Sequence, residues 1–260
     1  MVAVAAGCSS GAPRVEPPGN VAAPGGELAI DPAQPMGSLA IGVRPIGDDD
    51  DRRWSVPIGD SGALALVPAP FAAGQRVVAV PRIGASVELV AGAQLTIRYG
   101  CDGGALEVVP LAGAKLAPGI AWVVPEPRPT EWSPAAVPMV AGQPTPELAT
   151  WTAGPIAITS TRIAPMHATL RIAVDGREVA SVSGEKQLMD GAEPGPIDLR
   201  ERQPGVAELE AVYEVAANGP WLVVLMVPGY EGSSFVTHLV GRTATRELES
   251  LGFYLYSCAF

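Results

Sequence analysis

Histidine carries most acid–base catalysis near neutral pH, and this 260-residue chain has only two, His167 and His238. Ser233-Ser234 lies just before His238, and Glu231 is close by. A serine nucleophile needs its imidazole within hydrogen-bond reach in space, and adjacency along a strand does not give that. Gly229-Tyr230-Glu231-Gly232-Ser233-Ser234 also lacks the G-x-S-x-G elbow that presents a catalytic serine. Val236 and Val240 share the face of His238 in a strand, so it reads as a satisfied, partly buried histidine. An envelope hydrolase using His238 or His167 is therefore the last-ranked of three functional readings.

Metal and cofactor chemistry fare no better. Asp48-Asp49-Asp50-Asp51-Arg52-Arg53 is the one charge run. Calcium loops converge oxygens from alternate positions, as in D-x-D-x-D-G, and four consecutive Asp do not converge. The run reads as a solvated turn eased by its two Arg. Three cysteines, Cys8, Cys101 and Cys258, form no C-x-x-C, and the histidines are isolated, so no zinc site is expected. No P-loop or dinucleotide fingerprint is present, and no cofactor is expected. Trp54, Trp122, Trp132, Trp151 and Trp221 offer stacking surfaces. Trp221 reads as core, whereas Trp132 and Trp151 are candidates either for a sugar- or ligand-binding platform or for packing at a seam.

The N-terminus carries a sharper signal. Ala5-Ala6-Gly7-Cys8 resembles a bacterial lipobox, in which small residues precede a cysteine that becomes acylated after the signal is cut. The resemblance implies lipidation of Cys8 and attachment to a membrane of the bacterial cell envelope, at the outer membrane or on the periplasmic side. Each buried acyl methylene contributes about 0.8 kcal/mol, so several chains make a stable anchor. A signal peptide has a cationic start and an apolar stretch of about 7–15 residues. The segment before Cys8 holds no Lys or Arg and is shorter, so the expected start codon lies upstream of Met1. In an oxidising envelope, Cys101 and Cys258 would be left as an even pair able to form a disulfide. Two separate buried thiols are the alternative.

Composition narrows the remaining choices. The net charge is −10, from 17 Lys+Arg against 27 Asp+Glu, which disfavours a nucleic-acid partner. It would also keep the chain off an anionic membrane without a lipid. With 27 Pro and 30 Gly, a helical bundle is excluded. Lysine occurs only at Lys115 and Lys186, and asparagine only at Asn20 and Asn218. Scarce Lys and Asn with abundant Ala, Gly, Pro and Arg indicate GC-rich coding, so part of the Pro content is background.

The elements expected to hold these residues are strands. Leu95, Ile97 and Tyr99 alternate with Thr96 and Arg98, and a turn at Asp102-Gly103 leads into Leu106–Val109. Asp175-Gly176 predicts a type I′ hairpin with Ile172 opposite Val179 and Ala173 opposite Glu178. Leu209, Ala211, Tyr213 and Val215 alternate with glutamates as a half-buried strand. Asn218-Gly219 then turns the chain into Trp221–Val227, an apolar run suited to a strand buried on both faces. Phe235–Val240 and Phe253–Cys258 read as further strands, and Thr245–Leu251 as one or two helical turns. Seven prolines between Pro125 and Pro146 suggest a stiff linker, with a long excursion crossing one sandwich as the alternative.

The expected fold is all-β, with two antiparallel, Ig-like β-sandwich domains. The expected division is a signal and lipobox segment at 1–8, a disordered Pro/Gly-rich tether at 9–38 and a β domain at 39–124. A Pro-rich linker at 125–150 and a β-sandwich domain at 151–260 complete it. The first-ranked function is a non-enzymatic envelope lipoprotein with a structural or protein-interaction role. A carbohydrate- or ligand-binding module comes second.

Overall fold

The computed structural model describes residues 36–43, 53–58, 71–99, 104–114, 116, 119–188, 195–230, 232–248 and 253–256. Cys8, Cys101, Cys258, the lipobox, residues 9–35 of the expected tether, the four-Asp run and the Asp102-Gly103 turn lie outside these residues. Residues 36–38, expected to end the tether, are instead built into the fold, with Met36 buried and Ser38 opening a strand. All regular structure among the described residues is β, and every pairing between strands is antiparallel. No helix among them is long and apolar enough to cross a membrane.

The first seven strands are β1 (Ser38–Val43), β2 (Arg53–Ile58), β3 (Arg76–Pro81), β4 (Val87–Ala91), β5 (Leu95–Tyr99), β6 (Gly104–Gly113) and β7 (Ile120–Pro125). They run in the order β2-β1-β7-β3-β4-β6, and β6 pairs back onto β2. A six-stranded barrel is thereby closed, with β5 added along β6. A sandwich was expected here; closure removes sheet edges that an open sheet must protect. On one side β6 passes from β5 to β4, and Pro110 stands at that change of partner, where a missing N–H costs no ladder bond to either.

The barrel interior is filled by side chains, more than half of them Ala or Val. Ala40, Ala79, Ala91 and Ala121 alternate with Val56, Val77, Val109 and Val123, and Trp54 and Phe71 supply bulk. The intervening residues of β1, β3 and β7 point outward, yet Leu39, Ile41, Val78, Val80, Ile120, Trp122 and Val124 are buried as well. Something must cover that outer wall, because strands apolar on both faces need two cores.

The cover is a six-stranded sheet. It comprises β8 (Trp132–Ala136), β14 (Glu208–Ala216), β15 (Trp221–Pro228), β16 (Gly232–Val240), β17 (Thr245–Glu247) and β18 (Phe253–Tyr256). Tyr213, Val215, Leu222, Val224 and Leu239 meet the barrel wall in one core. Trp122 sits at its middle, 6.2 Å from Trp132 and 6.0 Å from Tyr213 between ring centroids. Its indole N–H donates to the carbonyl of Met36 at 2.6 Å.

The opposite face of that sheet packs on a five-stranded one: β9 (Val140–Ala141), β10 (Leu148–Ala153), β11 (Ile156–Ala164), β12 (His167–Val174) and β13 (Arg177–Glu185). Val212, Trp221, Val223 and Leu225 meet Ile156, Ile158, Leu170 and Ile172 there. The β15 strand is thus buried between two cores, as its continuous apolar run requires.

Several expectations change in detail. The stretch 125–150 holds β8, β9 and the start of β10, and Trp132 is core, so this stretch is built into both open sheets. Pro125 ends β7, Pro134 lies on the edge strand β8, where an absent N–H is tolerated, and the other prolines fall between strands. Thr245–Glu247 is a strand paired to β16. At the Asp175-Gly176 turn both residues have positive φ, 50° and 80°, as type I′ requires. Ala173 faces Glu178 as expected, but Ile172 faces Ala180, because the register shifts by one residue beside Val179. A shift at Glu210 likewise separates Leu209 from Ala211. Leu209 therefore joins the core against the five-stranded sheet while Ala211, Tyr213 and Val215 join the barrel core. The strand expected to be half-buried is buried on both sides.

Candidate functional site

The residues singled out by type do not converge. His238 lies on β16, 8% exposed, opposite Val223. Burial holds its imidazole down at about 4, and its Nε2, expected to be satisfied on a partly buried ring, has no hydrogen-bond partner among the described residues. At neutral pH it is an uncharged core side chain. His167 opens β12 at the surface, facing Glu185 of β13. Ser233 and Ser234 pair with Pro228 and Val227 on β15. Among the described residues, no group of three or more His, Cys, Asp or Glu is arranged to hold a metal ion.

The tryptophans separate clearly. Trp132 is 5% exposed and packed on Trp122, so it has no open face for a ligand; it packs the seam. Trp54 lies inside the barrel and donates from its indole to the carbonyl of Leu116 at 3.2 Å. Trp221 is core, with the guanidinium of Arg242 over its ring at 5.7 Å. Trp151 alone is half-buried beside an opening.

That opening is a cleft of about 220 Å³ at one end of the gap between the two open sheets. One wall is β9 to β11, through Ala141, Gly142, Ala149, Trp151 and Ser160. The other is the segment 199–208, through Leu199, Arg200, Arg202, Gln203, Val206, Ala207 and Glu208. The register explains the space. Ala149 pairs with Ser160, and Trp151 with Ile158, on the face toward the core. Where Ile156 and Ile158 fill the gap further along, Ala149 and Ser160 are too small to do so.

Ser160 is 1% exposed, and its Oγ has no hydrogen-bond partner. A buried hydroxyl left unpaired costs about 1–3 kcal/mol. Such a group on a residue that lines a cleft is a feature that sequence reasoning missed, since nothing marks Ser160 among the polar residues of a strand.

The second wall is fastened by backbone bonds from both sheets. Leu199 N–H donates to Pro146, Gln187 N–H to the Pro204 carbonyl, and Gly205 N–H to Pro228. Arg162 donates to the carbonyl of Ile197 at 2.7 Å and to Glu147 at 2.6 Å. Gly205 has φ +83°, and a Cβ there would lie 2.0 Å from the Glu185 carbonyl oxygen. Gly205→Ala is therefore expected to cost about 2 kcal/mol or more and to displace the segment that walls the cleft. Urea unfolding measures the first effect, and the loss of amide protection at Gln203–Ala207 the second.

Charges at the rim are matched. Arg202 lies 3.3 Å from Glu208, and Arg200 chelates Asp198 through two nitrogens. The Arg200 hydrogen bonds pull the Asp198 carboxyl down to about 2. Burial pushes Glu208 up from the ordinary carboxylate range, against the pull of Arg202. Glu210, next along, is also pushed up by burial while it pairs with Arg82 of the barrel at 3.0 Å. Both glutamates were expected on a solvated face; the bulge at Glu210 and the flanking layers bury them partly.

No family model, curated protein sequence or solved structure matches this chain.

Proposed function

We propose that this protein is a lipid-anchored, non-catalytic component of the bacterial cell envelope. The observation that carries the reading is Ala5-Ala6-Gly7-Cys8 followed by a stretch rich in Pro and Gly up to Pro35. A Pro-rich segment stays extended and holds a folded body away from a bilayer. The anchor has physical work to do, because a chain of net charge −10 is repelled by anionic lipid. We read the two open sheets, packed face to face, as an Ig-like sandwich carried beside the barrel, and the layered body as a platform for another envelope component.

The arrangement of the histidines supports a non-catalytic role over a hydrolase. A general base works best with a pKa near the operating pH, and burial takes His238 to about 4. Fractionation tests the anchor. In a bacterial host carrying lipoprotein-processing enzymes, the wild-type protein, expressed behind a complete lipoprotein signal, is expected in the membrane fraction with incorporated labelled palmitate. Cys8→Ala is expected to lose the label and move to the soluble fraction. An unchanged distribution of the variant would contradict the proposal.

A further inference from the structure

We propose that the cleft beside Trp151 binds a single neutral sugar ring. Four observations select this chemistry. The first is Ser160, which lines the cleft with its hydroxyl buried and unpaired, one donor and one acceptor with no protein partner. A χ1 rotation turns this hydroxyl toward the cleft, where a ligand that carries hydroxyls satisfies both functions with one group. The second is Trp151, a half-buried aromatic residue that lines the wall of the cleft. An apolar ring face packs on such a surface while its edges stay hydrogen-bonded.

The third observation is charge. Each arginine on the wall already has a carboxylate, Arg200 on Asp198 and Arg202 on Glu208. The site therefore presents no unmatched cation for a phosphate or carboxylate ligand, and a neutral one fits it better. The fourth is size. About 220 Å³ is below the roughly 300–1,000 Å³ of pockets for drug-sized ligands, which limits the occupant to one small ring. Small side chains at Ala141, Gly142, Ala149 and Ala207 keep that volume open.

Ser160 also makes the proposal separable from a purely structural reading. A hydroxyl buried without a partner burdens the folded state, so Ser160→Ala should fold and melt at a higher temperature than wild type. The same substitution should weaken ligand binding, a trade-off expected where a destabilising group serves function.

The test is an amide- and indole-resolved NMR titration of the full chain with the methyl glycosides of glucose, galactose and N-acetylglucosamine. Inorganic phosphate serves as the charged comparison. The expected result is a saturable shift of the Trp151 indole N–H with at least one glycoside and none with phosphate. In Ser160→Ala the same glycoside should bind about fivefold or more weakly, the loss typical of one hydrogen bond. No saturable shift with any of the three sugars would overturn the proposal. So would saturation by phosphate alone, or sugar binding of equal strength in Ser160→Ala. None of these outcomes bears on lipidation of Cys8, so the two readings fail separately.

Discussion

Acidification from pH 6.5 to pH 4 is expected to remove about 3 kcal/mol of folding stability through His238 alone, because burial lowers its pKa from 6.5 to about 4 and each pH unit is worth about 1.36 kcal/mol. The sign follows from proton counts. Below pH 6.5 the unfolded chain protonates this imidazole, whereas the folded chain keeps it neutral until about pH 4. The unfolded state binds more protons throughout that window, so stability falls as pH falls and levels off below it. Burial is the cause: His238 sits between strands with Val223 opposite and Leu239 and Val240 following it into the two cores. Glu208 and Glu210 act with opposite sign at the acid end. Their carboxyls are pushed up by burial, so the folded state holds those protons more firmly. Comparing wild type with His238→Leu by urea unfolding at several pH values cancels the glutamates. The difference in stability is expected to change by about one proton's worth of slope between pH 6.5 and 4. A difference independent of pH would mean that His238 is not buried neutral. It would also restore His238 as a candidate base and reopen the hydrolase reading.

The second large effect is expected at Trp122. Its side chain is fully buried between the barrel and the central sheet, in contact with Trp132 and Tyr213, and hydrogen-bonded to Met36. Trp122→Ala should cost about 3–5 kcal/mol, the usual range for deleting a buried aromatic, with the orphaned Met36 carbonyl adding to it. The location of the loss matters more than its size. Because one core is built from β1, β3 and β7 on one side and β14 to β16 on the other, the damage should reach both. Hydrogen exchange is expected to show lower protection at Val77–Val80 of the barrel and at Leu222–Leu225 of the sheet together. Loss confined to the barrel strands would contradict a shared core.

These two residues show where sequence and structure part company. The character of single strands was legible. Trp221–Val227 reads as a strand with two buried faces, and Asp175-Gly176 demands a tight hairpin. Both are local signals. Barrel closure was not legible, because it depends on β2 meeting β6 some fifty residues later, and β2 is a short segment broken by Pro57 and preceded by a charge run. The burial of Trp132 was hidden for a similar reason. Prolines around it read as a linker, yet edge strands and strand ends accept proline without losing ladder bonds. The bulge at Glu210 had no signal at all, and it reassigns Leu209 to a different core from its neighbours. Of the candidate site, Trp151 could be named from sequence and Ser160 could not. A missing hydrogen-bond partner is a property of the assembled layers, invisible in a run of threonines and serines. Cys8 stands at the other extreme, since lipobox chemistry is written in adjacent small residues and needs no tertiary structure to be read.

The central functional claim is therefore best tested at that cysteine. The protein should be expressed behind a complete lipoprotein signal in a bacterial host with intact lipoprotein processing, extracted from membranes and measured by mass spectrometry of its N-terminal peptide. The account predicts a peptide beginning at Cys8, with no residue before it, and heavier than its sequence by a diacylglyceryl group. A peptide that retains Ala5-Ala6-Gly7 ahead of an unmodified Cys8 would contradict the account.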